Sequence, residues 1–212
     1  MSATIVTFSN QMGSGGSAIS RAVAERLRFR YYDWEIIARA AQEAGVSPEL
    51  LAIATSERAP GFLERMMSRL AGMVTSDLPP ATEIPLSMNL LNSDDYRQFV
   101  EHVVRELGNQ GEAVIVNRAG QLILKDKPGV LKVLIYGSPE RRSHRFAEAQ
   151  GLALASVRKT LADSDRQRSD YFKRLYHTDS LLCDHYDIAI NTDFINGELA
   201  RDMIATAARE MP

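Results

Sequence analysis

Residues 4–19 read TIVTFSNQMGSGGSAI, and this stretch decides the fold that the sequence predicts. Its first part, residues 4–8, is β-branched and aromatic and is long enough to form a buried strand. Small and polar residues follow from Ser9 to Ser17. Apolar side chains then recur at helical spacing as far as Arg28, which indicates an amphipathic helix. The chain therefore opens as a strand, a glycine-rich turn and a helix.

The glycine-rich turn has the composition of a phosphate-binding loop. Glycines allow successive backbone N–H groups to point into one concavity, and the following helix adds about half a positive charge at its amino end. The segment Gly13-Ser14-Gly15-Gly16-Ser17 therefore predicts a cradle for phosphate. Three interpretations stay open at this point. The turn could simply join two elements, form a dinucleotide-binding G-x-G-x-x-A turn with Asp33 as the ribose contact, or form a P-loop.

The P-loop interpretation is judged against the pattern G-x-x-x-x-G-K-[ST]. Gly15 and Ser17 match the second glycine and the hydroxyl residue, and Ser17 would then contact magnesium. Asn10 stands in place of the first glycine, and Gly16 stands in place of the lysine. Because that lysine neutralises charge on a transferred phosphoryl group, a kinase with this loop needs another cation. We expect arginine to supply it.

The rest of the chain alternates between predicted strands and predicted helices. Three apolar runs have the length of buried strands: 112–116, 130–136 and 187–190. Helical spacing or helix-start residues mark three further segments: 93–107, 156–176 and 198–208. This alternation predicts a parallel α/β sheet in a single domain that covers residues 1–212.

One part of the chain departs from this alternation. Residues 47–92 combine a methionine-rich helical stripe with several prolines, which predicts a helical insert and a connecting loop. Apolar stripes of this kind form ordinary core or a subunit interface more often than a binding site. Residues 57–92 are therefore our candidate surface for a homo-oligomer.

Composition excludes several classes of protein. The 212 residues carry 25 basic and 27 acidic side chains, and a net charge of −2 argues against nucleic-acid binding. The single cysteine, Cys183, excludes an intrachain disulfide framework and a multi-cysteine metal site. We find no apolar run near the ~18 residues of a membrane-spanning helix and no signal peptide. We therefore expect a cytoplasmic protein without a membrane partner.

An excess of positively charged residues is concentrated in residues 141–174. This segment holds nine basic and four acidic residues, a local charge of +5 in a chain of −2. A solvated helix face has this composition, and so does a flexible cover that closes over phosphates.

Several motifs along the chain, taken together, resemble the cytidylate-kinase-like proteins, which are P-loop relatives of the nucleoside monophosphate kinases. The motifs are Gly13-Ser14-Gly15-Gly16, Tyr31-Tyr32-Asp33 with Ile36-Ile37, Ala113 to Arg118, Leu134-Ile135-Tyr136, Asp165 to Arg168 with Tyr171, and Tyr186 to Thr192. The resemblance implies a P-loop NTPase fold, an α/β three-layer sandwich with a parallel sheet, a helical insert and a lid at about 141–176.

The same resemblance implies roles for individual residues. ATP phosphates would lie on Gly13 to Ser17, with Mg²⁺ at the Ser17 hydroxyl and a nucleoside monophosphate opposite. The residues that match the family's functional positions are Asp33, facing the monophosphate; Arg39 and Arg118, on the acceptor phosphate; Arg166 and Arg168, in the lid; and Arg158, a looser match for substrate binding.

These observations favour phosphoryl transfer from ATP to CMP or a related nucleoside monophosphate. A second hypothesis is a nucleotide-binding regulatory or interaction protein that has lost turnover, which Gly16 in place of lysine favours. A third is a dinucleotide-dependent oxidoreductase, which the G-x-G-x-x-A match allows.

Overall fold

The computed structural model describes residues 2–33 and 93–211, and these residues form a parallel sheet with helices packed against it. The strands of the described residues are β1 (Ile5–Asn10), β2 (Arg30–Tyr32), β3 (Ala113–Val116), β4 (Val130–Tyr136) and β5 (Ile188–Asn191). The helices, numbered in the same way, are α1 (Gly16–Leu27), α2 (Ser93–Gln110), α3 (Gly120–Ile123), α4 (Pro139–Gln150), α5 (Leu154–Tyr176) and α6 (Gly197–Glu210). A 3₁₀ turn, Cys183–His185, precedes β5.

The order of the strands places β1 at the centre of the sheet. The order is β2-β3-β1-β4-β5, and every pairing is parallel. Ile5 lies opposite Ala113 of β3 on one side and Val130 of β4 on the other. The carboxyl ends of all five strands therefore meet at one edge, where ligands bind in open α/β sheets.

The core is built from strands that are buried on both faces. Ile5 and Val6 of β1 and Ala113 and Val114 of β3 have no exposed surface. Runs of this kind are apolar without alternation because helices cover both sides of a parallel sheet. The rigid centre of the molecule therefore ends directly at the glycine-rich turn.

The structure confirms the predicted α/β class and the predicted elements that fall within the described residues. The strand order also removes the dinucleotide-binding alternative, because that fold pairs β1 with β2, whereas here β1 lies between β3 and β4. Helix α3 was not expected, since four residues are too few to show helical spacing. The insert at 47–92, the candidate interface at 57–92 and Arg39 lie outside the described residues, and the single-domain division and the lid boundaries stay predictions.

Across residues 2–33 and 93–211, the helices are too short or too polar to span a lipid bilayer.

Candidate functional site

The glycine-rich turn connects the end of β1 to the start of α1. Gly13 and Gly15 adopt left-handed backbone conformations, with φ of 75° and 79°. A Cβ at Gly13 would also lie 2.6 Å from the carbonyl oxygen of Arg142, so a larger residue does not fit there. Gly15 is the N-cap residue of α1 and has no side chain that could cover the helix end. The amino end of α1 is thus not covered by its N-cap residue, although the first N–H of the helix, that of Gly16, donates to Ser14 Oγ at 3.3 Å; helix ends of this kind bind anions.

Three arginines from downstream helices hold this loop from its carbonyl side. Each guanidinium group donates through Nη1 to one loop carbonyl: Arg142 to Met12 at 2.9 Å, Arg145 to Gly13 at 2.9 Å and Arg168 to Asn10 at 3.1 Å. Arg142 and Arg145 lie on α4, and Arg168 lies on α5. The basic segment thus contacts the glycine-rich loop directly.

Arg142 joins both helices to the loop. Its side chain is 1% exposed, and its two terminal nitrogens lie 3.2 and 2.5 Å from the carboxylate oxygens of Asp165 on α5. Its Nε donates to the carbonyl of Gly137 at 3.0 Å. A buried cation needs a bidentate partner of this kind, because desolvation of an unpaired charge is costly. Arg142 is therefore a structural centre of the site.

Arg168 is a half-buried cation whose hydrogen-bond partners are neutral oxygens. Besides the Asn10 carbonyl, its Nη2 donates to the Ser9 hydroxyl at 2.5 Å. Burial lowers the pKa of the Arg168 guanidinium, while neighbouring Tyr186 acts in the opposite direction. Arginine nevertheless stays protonated in proteins, so a positive charge lies behind the loop.

Tyr186 continues this network beneath the loop. Its hydroxyl lies 3.1 Å from Ser9 Oγ and donates to the Ser180 carbonyl at 2.6 Å. Gln121 Nε2 donates to the same hydroxyl at 3.0 Å. Burial raises the pKa of the Tyr186 phenol, so it remains a neutral hydrogen-bonding group at physiological pH.

Arg145 connects the loop to the segment after β5. It donates to the Gly13 carbonyl, and it also contacts the Thr192 hydroxyl at 3.2 Å and the Thr192 carbonyl at 2.9 Å. The loop is therefore fixed against β5 as well as against α4 and α5.

Arg118 lies on a left-handed turn that follows β3. Asn117, Arg118 and Ala119 have φ values of 66°, 55° and 58°. Non-glycine residues rarely adopt this conformation, and strain of this kind is concentrated at functional sites. The Arg118 guanidinium lies 5.9 Å from the centre of the Tyr171 ring of α5. Asn117 thus adopts a left-handed conformation that glycine would adopt more easily.

The structure brings some predicted residues to the loop and places others elsewhere. Arg168 contacts the loop, and Asp33 follows β2 at the same edge of the sheet. Arg158 is 53% exposed and donates to Glu140 at 2.7 Å, which holds the pKa of that carboxyl below its usual value. Arg166 is 73% exposed and lies 3.9 Å from Asp163. These two arginines therefore face solvent in this structure.

Sequence reasoning did not single out Arg142 and Arg145. Their spacing of three residues puts both on one face of α4. That helix begins directly after β4, at the edge of the sheet where the loop lies. These two facts together could have identified the pair.

Ser17 is the residue of the loop that the sequence predicts for magnesium. It is exposed in the first turn of α1. The described residues contain no group of three or more histidine, cysteine, aspartate or glutamate side chains suited to a metal. Mg²⁺ binds proteins through one or two oxygen ligands together with substrate phosphates and water, and an exposed hydroxyl at a phosphate loop suits that mode.

Comparisons with known proteins find a family pattern, a relative and solved structures that are similar to this chain. The pattern of the cytidylate kinase-like family matches residues 5–194. The chain is 23% identical over 190 residues to a cytidylate kinase of Methanocorpusculum labreanum, which covers 89% of this chain and 86% of that protein. It is similar in fold to an uncharacterised protein from Eubacterium ventriosum, with a TM-score of 0.60, 18% identity and coverage of 96% and 97% of the two chains. It is also similar to the Thermus thermophilus protein TT1252, with a TM-score of 0.51, 19% identity and full coverage of both chains (100% and 100%).

Proposed function

Because this chain belongs to the cytidylate kinase-like family, we propose that it transfers the γ-phosphate of ATP to a nucleoside monophosphate, with CMP as the first acceptor to test. The observation that carries this proposal is the glycine-rich loop at the amino end of α1, held by three buried or half-buried arginines. The carbonyl and N–H of a trans peptide point in opposite directions. Of the N–H groups across these three peptides, those of Gln11 and Ser14 already donate to the carbonyls of Ile135 and Gln11, so an anion on the N–H side stabilises this loop conformation through the Gly13 N–H.

The arginines also supply the charge that the absent lysine would carry. Arg142 is paired with Asp165, whereas the hydrogen bonds of Arg145 and Arg168 go to neutral oxygens. The positive charge of the latter two is therefore not neutralised by a hydrogen-bonded acid. In a partly buried site such charge acts on a bound phosphate more strongly than it would in water.

The remaining residues have roles in positioning. Backbone N–H groups of Gly13 to Ser17 hold the donor phosphates, which replace the Gln11 carbonyl as acceptor of the Ser14 N–H and Ser14 Oγ as acceptor of the Gly16 N–H, and Ser17 holds Mg²⁺. When bound, Mg²⁺ neutralises charge on the phosphate oxygens. Arg118, on its left-handed turn, binds the acceptor phosphate with Arg39, and Asp33 orients the acceptor.

The exposed arginines of α5 complete the proposal. Arg158 and Arg166 reach solvent. They remain candidates for a lid, formed by residues at about 141–176, that closes on the transferring group. Catalysis by such groups needs no covalent intermediate, because positioning and charge neutralisation dominate phosphoryl transfer.

A coupled assay of ATP consumption tests the proposal. The purified protein is mixed with MgATP and, in turn, CMP, dCMP, UMP, AMP and GMP, beside a thermal-shift panel of the same nucleotides. We expect turnover with at least one pyrimidine monophosphate. A thermal shift with ATP but no turnover with any acceptor would reject the kinase and support the second candidate, a nucleotide-binding protein without activity, which Gly16 in place of lysine favours.

A further inference from the structure

The two loop residues that depart from the P-loop pattern lie against each other in the structure. Asn10 replaces the first glycine and Gly16 replaces the lysine. A Cβ added at Gly16 would lie 2.5 Å from Oδ1 of Asn10 and 2.8 Å from its Cβ. Real Cβ atoms essentially never come this close to another heavy atom. The asparagine side chain therefore occupies the space in which a lysine at position 16 would begin, so Asn10 in this position requires glycine at position 16.

The backbone of Asn10 is fixed on both sides. Its N–H donates to Oδ1 of Asn117 at 3.0 Å, and its carbonyl accepts from Arg168 at 3.1 Å. These contacts join β1 to the turn after β3 and to α5. The backbone from which the Asn10 side chain extends is therefore held in place at the glycine-rich loop.

The amide group of Asn10 is buried and lacks hydrogen-bond partners. Both Nδ2 and Oδ1 are closed off from solvent, and neither forms a hydrogen bond. Buried polar groups in native proteins are almost always paired, and those that are not require an explanation, such as a missing ligand. The amide lies against Gly16, the residue at the amino end of α1, where the loop is built to accept an anion.

We propose that the side-chain amide of Asn10 is a phosphate-binding group, which turns toward the oligophosphate held by the loop and donates from Nδ2 to one of its oxygens. This inference rests on the proposed function, since it assigns a further positioning residue to the same loop. The two tasks of the P-loop lysine are thereby divided. Asn10 supplies the directed hydrogen bond from within the loop, and Arg145 and Arg168 supply the charge from behind it.

Binding of ATP and of inorganic tripolyphosphate, measured by calorimetry, tests this assignment. A hydrogen bond to a charged group contributes enough for Asn10→Ala to weaken both ligands about 10- to 100-fold. Asn10→Asp, which keeps the shape but removes the donor, is expected to lose at least as much. Asn109→Ala is the matched control, because Asn109 is exposed near the end of α2, and its affinities stay at the wild-type value.

Exchange of the two residues gives a second readout that needs no ligand. Gly16→Ala alone is expected to lower the melting temperature, because its Cβ meets Asn10, and Asn10→Gly in the same chain is expected to restore much of the loss. The double variant Asn10→Gly with Gly16→Lys restores the P-loop pattern at both positions. We expect its affinity for tripolyphosphate to equal or exceed that of a second double variant, Asn10→Ala with Gly16→Lys.

The outcomes separate this inference from the function on which it rests. Wild-type protein that binds neither ATP nor tripolyphosphate overturns both. If the wild-type protein binds both ligands and the Asn10→Ala variant binds them with the same affinities, the role of Asn10 is overturned. The proposed kinase activity is unaffected by that result.

Discussion

Arg168 offers the most informative single perturbation. It lies on α5 and donates to the Asn10 carbonyl and the Ser9 hydroxyl, at 3.1 and 2.5 Å. Arg168→Ala removes both bonds and leaves the two acceptors without that partner. Hydrogen bonds that involve a charged group contribute about 1.5–3 kcal/mol each, so the lower bound for two such bonds is a loss of about 3 kcal/mol.

This loss is large enough to measure. In a chain of this size, 1 kcal/mol moves the melting temperature by about 2–4 °C, so Arg168→Ala should lower it by about 6–12 °C. Turnover should fall by about 10²-fold or more, since a single arginine that stabilises phosphoryl transfer contributes at least that much. Arg168→Lys keeps the charge but cannot make both bonds in the same fork geometry. We expect this variant to recover part of the rate and less of the stability.

The assay combines thermal unfolding with steady-state kinetics in MgATP and the best acceptor. Arg174→Ala, on the same helix, is a control for the loss of an exposed positive charge on α5. If Arg168→Ala melts within about 2 °C of the wild type and turns over at the wild-type rate, the contacts of Arg168 with the loop contribute neither to stability nor to catalysis.

Four further predictions concern the loop and its supports. Asp165→Ala leaves the buried Arg142 unpaired, and we expect a stability loss of about 2–3 kcal/mol by chemical denaturation, whereas exposed Asp163→Ala should have little effect. Gly13→Ala places a Cβ against the Arg142 carbonyl at positive φ, so tripolyphosphate binding should be lost in calorimetry even where circular dichroism shows a folded chain. Arg28→Gly, at the left-handed end of α1 with φ of 60°, should raise the melting temperature by about 1–4 °C and leave turnover unchanged, because glycine relieves roughly 0.5–1 kcal/mol of strain. Arg118→Gly relieves similar strain but removes the proposed acceptor contact, so it should melt no lower than the wild type while its KM for the acceptor rises by about tenfold or more.

Local sequence rules were sufficient for the architecture. Residues 130–136 are apolar without alternation and form β4 with those same bounds, because a strand covered on both faces has little choice of side chain. Ser138 followed by Pro139 has the composition of a helix start, and in the structure the Ser138 hydroxyl accepts from the Arg141 N–H at the beginning of α4.

The contacts of the site were less accessible to such rules. The excess of positive charge in 141–174 fitted both a solvated helix face and a cover over phosphates. It did not separate Arg142 and Arg168, which reach the loop, from Arg158 and Arg166, which face solvent. That distinction depends on how α4 and α5 pack against each other and against β1. Packing between elements distant in the sequence is not encoded in the spacing within either helix.

The same limit applies to the loop itself. Asn10 and Gly16 were each recognised as departures from a pattern, but their contact follows from the path of the backbone through the left-handed residues Gly13 and Gly15. A one-dimensional pattern treats the two positions as independent, whereas the folded loop places one side chain in the volume of the other.

We propose that main-chain amides at the amino end of α1 hold an oligophosphate while arginines contact the loop from behind. Titration of ¹⁵N-labelled protein with MgATP, followed by amide and arginine Nε resonances, tests it most directly. We predict that the amides of Gly13, Gly15, Gly16 and Ser17 shift together with Nε of Arg168, all with one dissociation constant. Saturating shifts confined to other parts of the chain, with these glycine amides unmoved, would contradict the account.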